Sequence, residues 1–302
     1  MFKKPKDSDV TPLKEPIAGS WINAVNPNKK EISFLVDSGV PASFIKGCLD
    51  RSKRPQVDQE DEAKLIIFQI PDLVKGSLET SALGVVVTEK YVVTISKGEN
   101  KAVKTFVNEN KDFQTTNIRK FILQLFSSSV KSYLNYLDYI NNTLDKFETN
   151  VAESLGNDEI IDLLNLQKAL TYFKTAAYGN QRVLDKILMG KFVSFSERDE
   201  NILEDIIIDN KQAIEMIDTY LAITANTMAA YGSIVGNNLN VMMKLLAVLS
   251  ISMAIPTIIA SLYGMNLALP LQSYSLAFWV ISSFSVLLSL GAFYAFFKLK
   301  WV

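Results

Sequence analysis

The chain has no histidine and a single cysteine, Cys48, among its 302 residues. Without those side chains the usual donor sets for zinc and copper cannot be assembled, a disulfide framework is impossible, and the commonest general base of hydrolases is missing. There is no G-x-x-x-x-G-K-[ST] loop and no Gly-rich strand-to-helix turn, so nucleotide-driven chemistry and an organic cofactor have no seat. No pairing of nucleophile with base is discernible, and an enzyme is not expected. Charge is missing just as selectively. After Asp218 there is no acidic residue, and the only charges left are Lys244, Lys298 and Lys300.

That last gap has a physical consequence. Leu245 to Met265 is an uncharged run of 21 residues and Tyr274 to Phe297 another of 24, each long enough to cross roughly 30 Å of hydrocarbon as a helix. Two membrane spans joined by a short loop are therefore expected at the C-terminal end. The loop, Asn266 to Ser273, holds no Lys or Arg, whereas Lys244 precedes the first span and Lys298 and Lys300 follow the second. The positive-inside bias then puts both termini in the cytoplasm of a cell (plasma) membrane. Met1 to Glu15 is rich in Lys, Asp and Pro and has no apolar centre, so no signal peptide is read there and the first span is expected to do the targeting.

What is present suits hard ions. The whole-chain charge of −1 hides a split: the part before residue 240 carries 28 basic against 32 acidic residues, so it is mildly acidic and offers no basic face for nucleic acid. Carboxylates and amide oxygens are the available ligands, and these suit Mg²⁺.

Residues 1–17, charged and Pro-containing, read as a flexible lead-in. From 18 to 112 an α/β subdomain is expected. Leu65 to Ile70 reads as a buried strand ending at Pro71, and Gly84 to Thr88 with Tyr91 to Ile95 as a hairpin. Helices are expected over Asn28 to Val36, opened by Asn26-Pro27, and over Pro41 to Leu49. From 113 to 239 the apolar spacing of three and four predicts two long antiparallel helices, Asn117 to Glu148 and Asp158 to Met189. A capping box at Ser194 to Glu197 then opens a helix that meets no proline until Pro256. Roughly 60 residues of helix reach about 90 Å, so the first span is expected to be the top of a stalk. Residues 240–302 form the transmembrane hairpin, and the fold class is an α+β membrane protein with a cytosolic α/β domain, a helical stalk and two C-terminal spans.

Two spans cannot enclose an aqueous path, so conduction would need an oligomer with one helix per subunit facing the axis. At helical spacing the first span presents Gly236, Asn240, Met243, Ala247, Ser250, Ala254, Thr257 and Ser261 within an arc of about 100°. The stripe is small and polar. The same small residues, like Gly232 and Gly236 one turn apart, also suit close helix packing. Val248, Leu249, Ile251, Ile255, Ile258 and Ile259 lie on the other face, toward lipid or the second span. Pro256 cannot donate to the Ser252 carbonyl, which must then find water or another helix. On the second span Phe278, Trp279, Phe284, Phe293, Phe296 and Phe297 read as a lipid-facing ring.

The phrase Tyr263-Gly264-Met265-Asn266 after the first of two C-terminal spans, with Lys298-Leu299-Lys300-Trp301 closing the chain, resembles the CorA family of magnesium transport proteins. Asn240, Met243, Lys244, Pro256 and Thr257 stand where that family's pattern has its pore asparagine, gate methionine, basic residue, proline and threonine. Trp21-Ile22-Asn23, Asn26-Pro27 and Arg54 to Asp58 are similar to its N-terminal domain, and Glu204-Asp205 with Asp209 to the acidic start of its stalk.

The resemblance implies a funnel-shaped homopentamer in the lipid bilayer, passing divalent metal ions without ATP. Mg²⁺ is both cargo and regulator, with Co²⁺ or Ni²⁺ as alternatives. It implies a selectivity loop of Tyr263, Gly264, Met265 and Asn266, in which Asn266 amide and Gly264 backbone oxygens hold the hydrated ion, since Mg²⁺ loses water reluctantly. A regulatory metal site is implied at Asp205 and Asp209. This sequence departs from the pattern in an extracellular loop without acidic residues, in having no carboxylate after Asp218, and in Ala254 where a second gate methionine is expected. The apolar constriction is then assigned to Met243 and Leu246. The competing readings are a zinc transporter of the same superfamily, which the absence of histidine disfavours, and a non-conducting membrane-anchored sensor or scaffold.

Overall fold

The computed structural model describes residues 2–3, 11–12, 16–74, 76–109, 115, 117–150, 157–190, 195–267, 269–271, 274–299 and 301. Most of the expected lead-in, Ser194 of the expected capping box, three loop positions (268, 272 and 273) and Lys300 lie outside these. The chain divides into two compact units, Met1–Met228 and Ala229–Val302.

The first unit is built on a seven-stranded sheet. Its strands are β1 (Phe2–Lys3), β2 (Thr11–Pro12), β3 (Ser20–Val25), β4 (Gln56–Glu60), β5 (Ala63–Val74), β6 (Ser77–Val87) and β7 (Tyr91–Ser96), in the order β2-β1-β3-β7-β6-β5-β4. Among the described residues only the β3–β7 pair is parallel; β4 to β7 form an antiparallel meander and β3 closes onto it through a crossover. The apolar run in β5 is continuous because both faces are covered. Leu65 and Ile67 join Leu35, Phe44, Ile45 and Cys48 beneath α1 (Lys29–Asp37) and α2 (Ala42–Cys48). Ile66, Phe68 and Ile70 join the helices of the opposite face, α3 (Lys101–Glu109), α4 (Ile118–Asn150), α5 (Asn157–Leu188) and the start of α6 (Glu197–Tyr263). Trp21 anchors that second layer against Phe106 and Phe121, with ring centroids 6.1 and 5.2 Å away.

Three local expectations are corrected. First, β5 does not stop at Pro71 but runs on to Val74, pairing Pro71 with Thr80. By that point β4 has ended, its last partner on β5 being Ile67. The amide of Gln69 points away from β6, to Asn180, so the missing amide of Pro71, two residues on, falls on the same open edge and removes no ladder bond. Second, Asn28 rather than Asn26 caps α1: its Oδ1 accepts from the amides of Lys30 and Glu31, and Glu31 accepts back from the Asn28 amide at 2.7 Å. Asn26 instead takes a left-handed φ of 48° as it leaves β3. Third, at the start of α6 the reciprocal cap joins Ser196 to Asp199, whose carboxylate accepts from the Ser196 hydroxyl at 2.7 Å.

Helices α4 and α5 lie side by side and antiparallel. Tyr133 stacks edge-on against Phe173 at 5.4 Å, and further up α4 the residues from Tyr136 to Phe147 share a groove with Tyr172 down to Asp162. Asparagine fastens this layer to the sheet. Asn180 on α5 accepts from the Gln69 amide at 3.0 Å and donates to the Gln69 carbonyl at 2.7 Å, so it mimics a strand where β4 has run out. Asn210 on α6 donates to the Ala177 carbonyl and to Gln181 on α5. The second unit is the rest of α6 and α7 (Ala277–Lys298), and both helices are long and apolar enough to cross a membrane.

Candidate functional site

Within the second unit, α7 packs on one side of α6. Most of its shielded positions are small: Ser282, Ser285, Ser289 and Ala292 recur at three and four, with Ile281 half-buried beside them. Phe278, Trp279, Phe284 and Phe297 are exposed, while Phe296, expected to face lipid, is half-buried and stacks on Trp301. Small side chains on a membrane helix let a neighbouring backbone come close. On α6 the covered positions are Val248 and Ser252, 1% and 6% exposed, with Ile255, Pro256 and Ile259 half-buried.

At about 100° per residue, these covered positions cluster roughly 150° around α6 from the predicted stripe. Gly236, Asn240, Met243, Ala247, Ser250, Ala254, Thr257 and Ser261 are all exposed, as is Leu246 beside them. Leu249, Ile251 and Ile258, expected to face lipid or the second span, are exposed as well, so this single chain leaves both sets of positions uncovered. Two stripe hydroxyls are already tied to their own helix, Ser250 to the Leu246 carbonyl at 2.8 Å and Thr257 to the Met253 carbonyl at 2.9 Å. Each keeps its oxygen lone pairs for the open side.

Pro256 does not serve the stripe in this structure. The Ser252 carbonyl that it frees accepts the hydroxyl of Ser289 on α7, at 2.6 Å. Another helix satisfies it. Likewise Gly232 and Gly236 have no atom near the Cβ that alanine would add, so they do not pack α6 against α7.

α6 ends as the signature begins. The Gly264 amide still donates to the Ala260 carbonyl at 2.9 Å, and the Met265 amide shortens the step, reaching Leu262. Gly264 has no left-handed φ, so it is not a reversed helix cap. An added Cβ there would lie 3.3 Å from the Ala260 carbonyl oxygen, tight contact without overlap. Tyr263 and Gly264, with Pro256, line a groove of about 360 Å³ between α6 and α7. Met265 and Asn266 are exposed beyond the helix end.

In the first unit, Asp205 and Asp209 sit one turn apart on α6, the former exposed and the latter half-buried. Among the described residues no group of three His, Cys, Asp or Glu side chains could hold a metal ion. Asp218 is paired instead, with Lys174 of α5 at 2.8 Å and the Tyr178 hydroxyl at 3.2 Å. The hydrogen bond that Lys174 donates to Asp218, with the charge of that carboxylate, holds the Lys174 ammonium above its ordinary range. Sequence reasoning missed the Ser282-Ser285-Ser289-Ala292 face, although its spacing was there to read. It also missed Asn180 and Asn210, for which no local signal exists.

An α/β domain carrying a long helix and a C-terminal hairpin of two apolar helices defines a two-span membrane protein. The model of the CorA-like Mg²⁺ transporter protein family matches residues 18–298, and the chain belongs to that family. The cobalt/magnesium transport protein CorA of Methanocaldococcus jannaschii is 24% identical over 290 residues, covering 93% of this chain and 91% of that one. Its counterpart in Thermotoga maritima is 21% identical over 276 residues, covering 88% and 78%. The complete structure of the M. jannaschii transporter superposes with a TM-score of 0.81 over 93% of this chain and 91% of that one, which establishes the shared fold.

Proposed function

We propose that this chain is the subunit of a passive divalent-cation channel that lets Mg²⁺ enter the cytoplasm down the membrane potential, through a central path lined by the first span of each copy. The carrying observation is the open stripe on α6. It runs on the face turned away from α7, small and polar along most of its length, and leads to Gly264-Met265-Asn266. A uniform scaffold seam would be apolar throughout, whereas this stripe carries Asn240, Ser250, Thr257 and Ser261. The family and the transport proteins the chain resembles support the choice of Mg²⁺, with Co²⁺ as further cargo; Ni²⁺ is a third candidate that the flux comparison tests.

At the mouth, Asn266 amides and Gly264 carbonyls from several copies form a ring that holds the ion with its water shell by hydrogen bonds. Deeper in, Met243 and Leu246 form the apolar constriction that closes by dewetting. At the cytosolic end, Asp205 and Asp209 face a neighbouring copy, where bound Mg²⁺ relieves carboxylate repulsion and holds the copies together; its loss lets them part and the path open. Both termini are cytoplasmic, and the assembly is a pentamer.

The test is flux into proteoliposomes under an imposed inside-negative potential, comparing Mg²⁺ with Co²⁺, Ni²⁺ and Zn²⁺. The parent protein takes up Mg²⁺, and Asn266→Ala abolishes uptake while the oligomer still elutes as the parent does. Normal Mg²⁺ flux through assembled Asn266→Ala protein would falsify the selectivity ring; no flux in the parent sinks the channel reading itself.

A further inference from the structure

Proline removes one amide from a helix, and in hydrocarbon the carbonyl it orphans has no water to turn to. In α6 that carbonyl belongs to Ser252, four residues before Pro256, in a residue only 6% exposed. Its donor is the hydroxyl of Ser289, at 2.6 Å, and that donor sits on a different helix. A bond within the helix would only stiffen α6. This one also ties α6 to α7 at the level where a proline makes bending easiest. The small residues of α7 are what bring Ser289 close enough to reach.

We propose that Ser289 is a positioning residue for the first span: its hydroxyl stands in for the missing Pro256 amide and fixes where the segment from Pro256 to Asn266 sits. That segment holds Thr257 and Ser261 of the stripe and ends in the signature loop. Ser289 itself is turned toward α7's partner helix and away from the stripe, so it touches no ion path and acts through the backbone it holds. The conduction arm of the test rests on the channel reading; the stability arm does not.

A built-in control is available. The Ser252 hydroxyl is buried next to the bond yet has no hydrogen-bond partner among the described residues. Ser252→Ala therefore removes a hydroxyl at the same depth and leaves the carbonyl, and Ser289's hold on it, in place.

The experiment compares Ser289→Thr with Ser289→Val, two side chains of the same shape that differ by the hydroxyl, in the full-length protein and again with Pro256→Ala. The readouts are apparent melting temperature in detergent and Mg²⁺ flux per assembled protein. In the parent background Ser289→Val lowers the melting temperature by about 2–4 °C and flux by about threefold, since interhelical hydrogen bonds in membranes are of modest strength. Ser289→Thr and Ser252→Ala stay at the parent values. With Pro256→Ala the restored amide satisfies the Ser252 carbonyl, and Ser289→Val no longer differs from Ser289→Thr. Equal behaviour of Thr and Val in the parent background, or an undiminished Val defect with Pro256→Ala, overturns the proposal. If Pro256→Ala fails to assemble, the Thr-against-Val comparison decides alone. A stability difference without any parent flux leaves Ser289 in place and sinks the channel reading.

Discussion

Replacing Asn180 with leucine probes how the helical layer is fastened to the sheet. Asn180 is 2% exposed and makes two bonds to Gln69, accepting from its amide and donating to its carbonyl. That carbonyl has a second donor, the buried hydroxyl of Tyr133 at 2.9 Å. Leucine keeps the branched outline of asparagine with bulkier methyl groups, so some overpacking adds to the polar consequence. The Gln69 amide becomes a buried donor with no acceptor, which costs about 1–3 kcal/mol, while the carbonyl keeps Tyr133. For a unit of this size that lowers the melting temperature by about 3–10 °C. Tyr133→Phe removes only one of two donors to a carbonyl that stays satisfied, at about 1 kcal/mol. Combined, the two substitutions orphan both groups, so the double variant loses more than the sum of the singles. Trp21 is fully buried in this unit, so its emission reports the transition once the exposed Trp279 and Trp301 are changed to Phe. Thermal melts of the four proteins then complete a cycle. If Tyr133→Phe costs as much as Asn180→Leu, or the two losses simply add, the shared-carbonyl reasoning is wrong.

Other outcomes follow from the same structure. Met243→Asp puts a carboxylate into the proposed constriction, where wetting becomes easy; cations should leak into proteoliposomes even at high internal Mg²⁺, and a tightly closed variant would move the gate elsewhere. Asp205→Lys supplies a fixed positive charge in place of the regulatory ion, so limited proteolysis should be slow without Mg²⁺, and a variant as Mg²⁺-dependent as the parent removes Asp205 from sensing. Burial pushes the Cys48 thiol up to about 12, with Lys53 pulling weakly the other way. Iodoacetamide at pH 8 should then leave the native protein unlabelled and modify it only on unfolding. Because the folded thiol holds its proton more tightly, this contribution to stability is complete below the ordinary thiol value of 9.0 and declines as pH rises from there toward about 12. Gly84→Ala should destabilise by about 1–3 kcal/mol, since its Cβ would lie 1.9 Å from the Cys48 sulfur; Cys48→Ala should recover part of the loss in a thermal melt, and no recovery would mean that the strain lies elsewhere.

What the sequence determined by itself is whatever depends on neighbours along the chain. A span-length run that is both uncharged and apolar favours hydrocarbon over water, so two candidate spans were legible from Leu245 and Tyr274 onward, and α7 begins at Ala277, within the second run. Helical spacing put Asn240 to Ser261 on one face, because residues three and four apart share a side whatever surrounds them. The tripeptide at 264–266 carried the family because its meaning lies in its place after the first span.

What only the tertiary structure decided are the pairings across long stretches of chain. No local pattern in Asn180 or Gln69 announces a bond between residues 111 apart; it exists because β4 stops short and leaves the edge of β5 open to α5. Pro71 looked like a strand end and is not, since its missing amide falls on that same edge. Pro256 could be read as opening a carbonyl to water, and the fold gave that carbonyl to Ser289 instead. In each case a backbone polar group needs a partner, the sequence shows only that the need exists, and packing chooses who meets it.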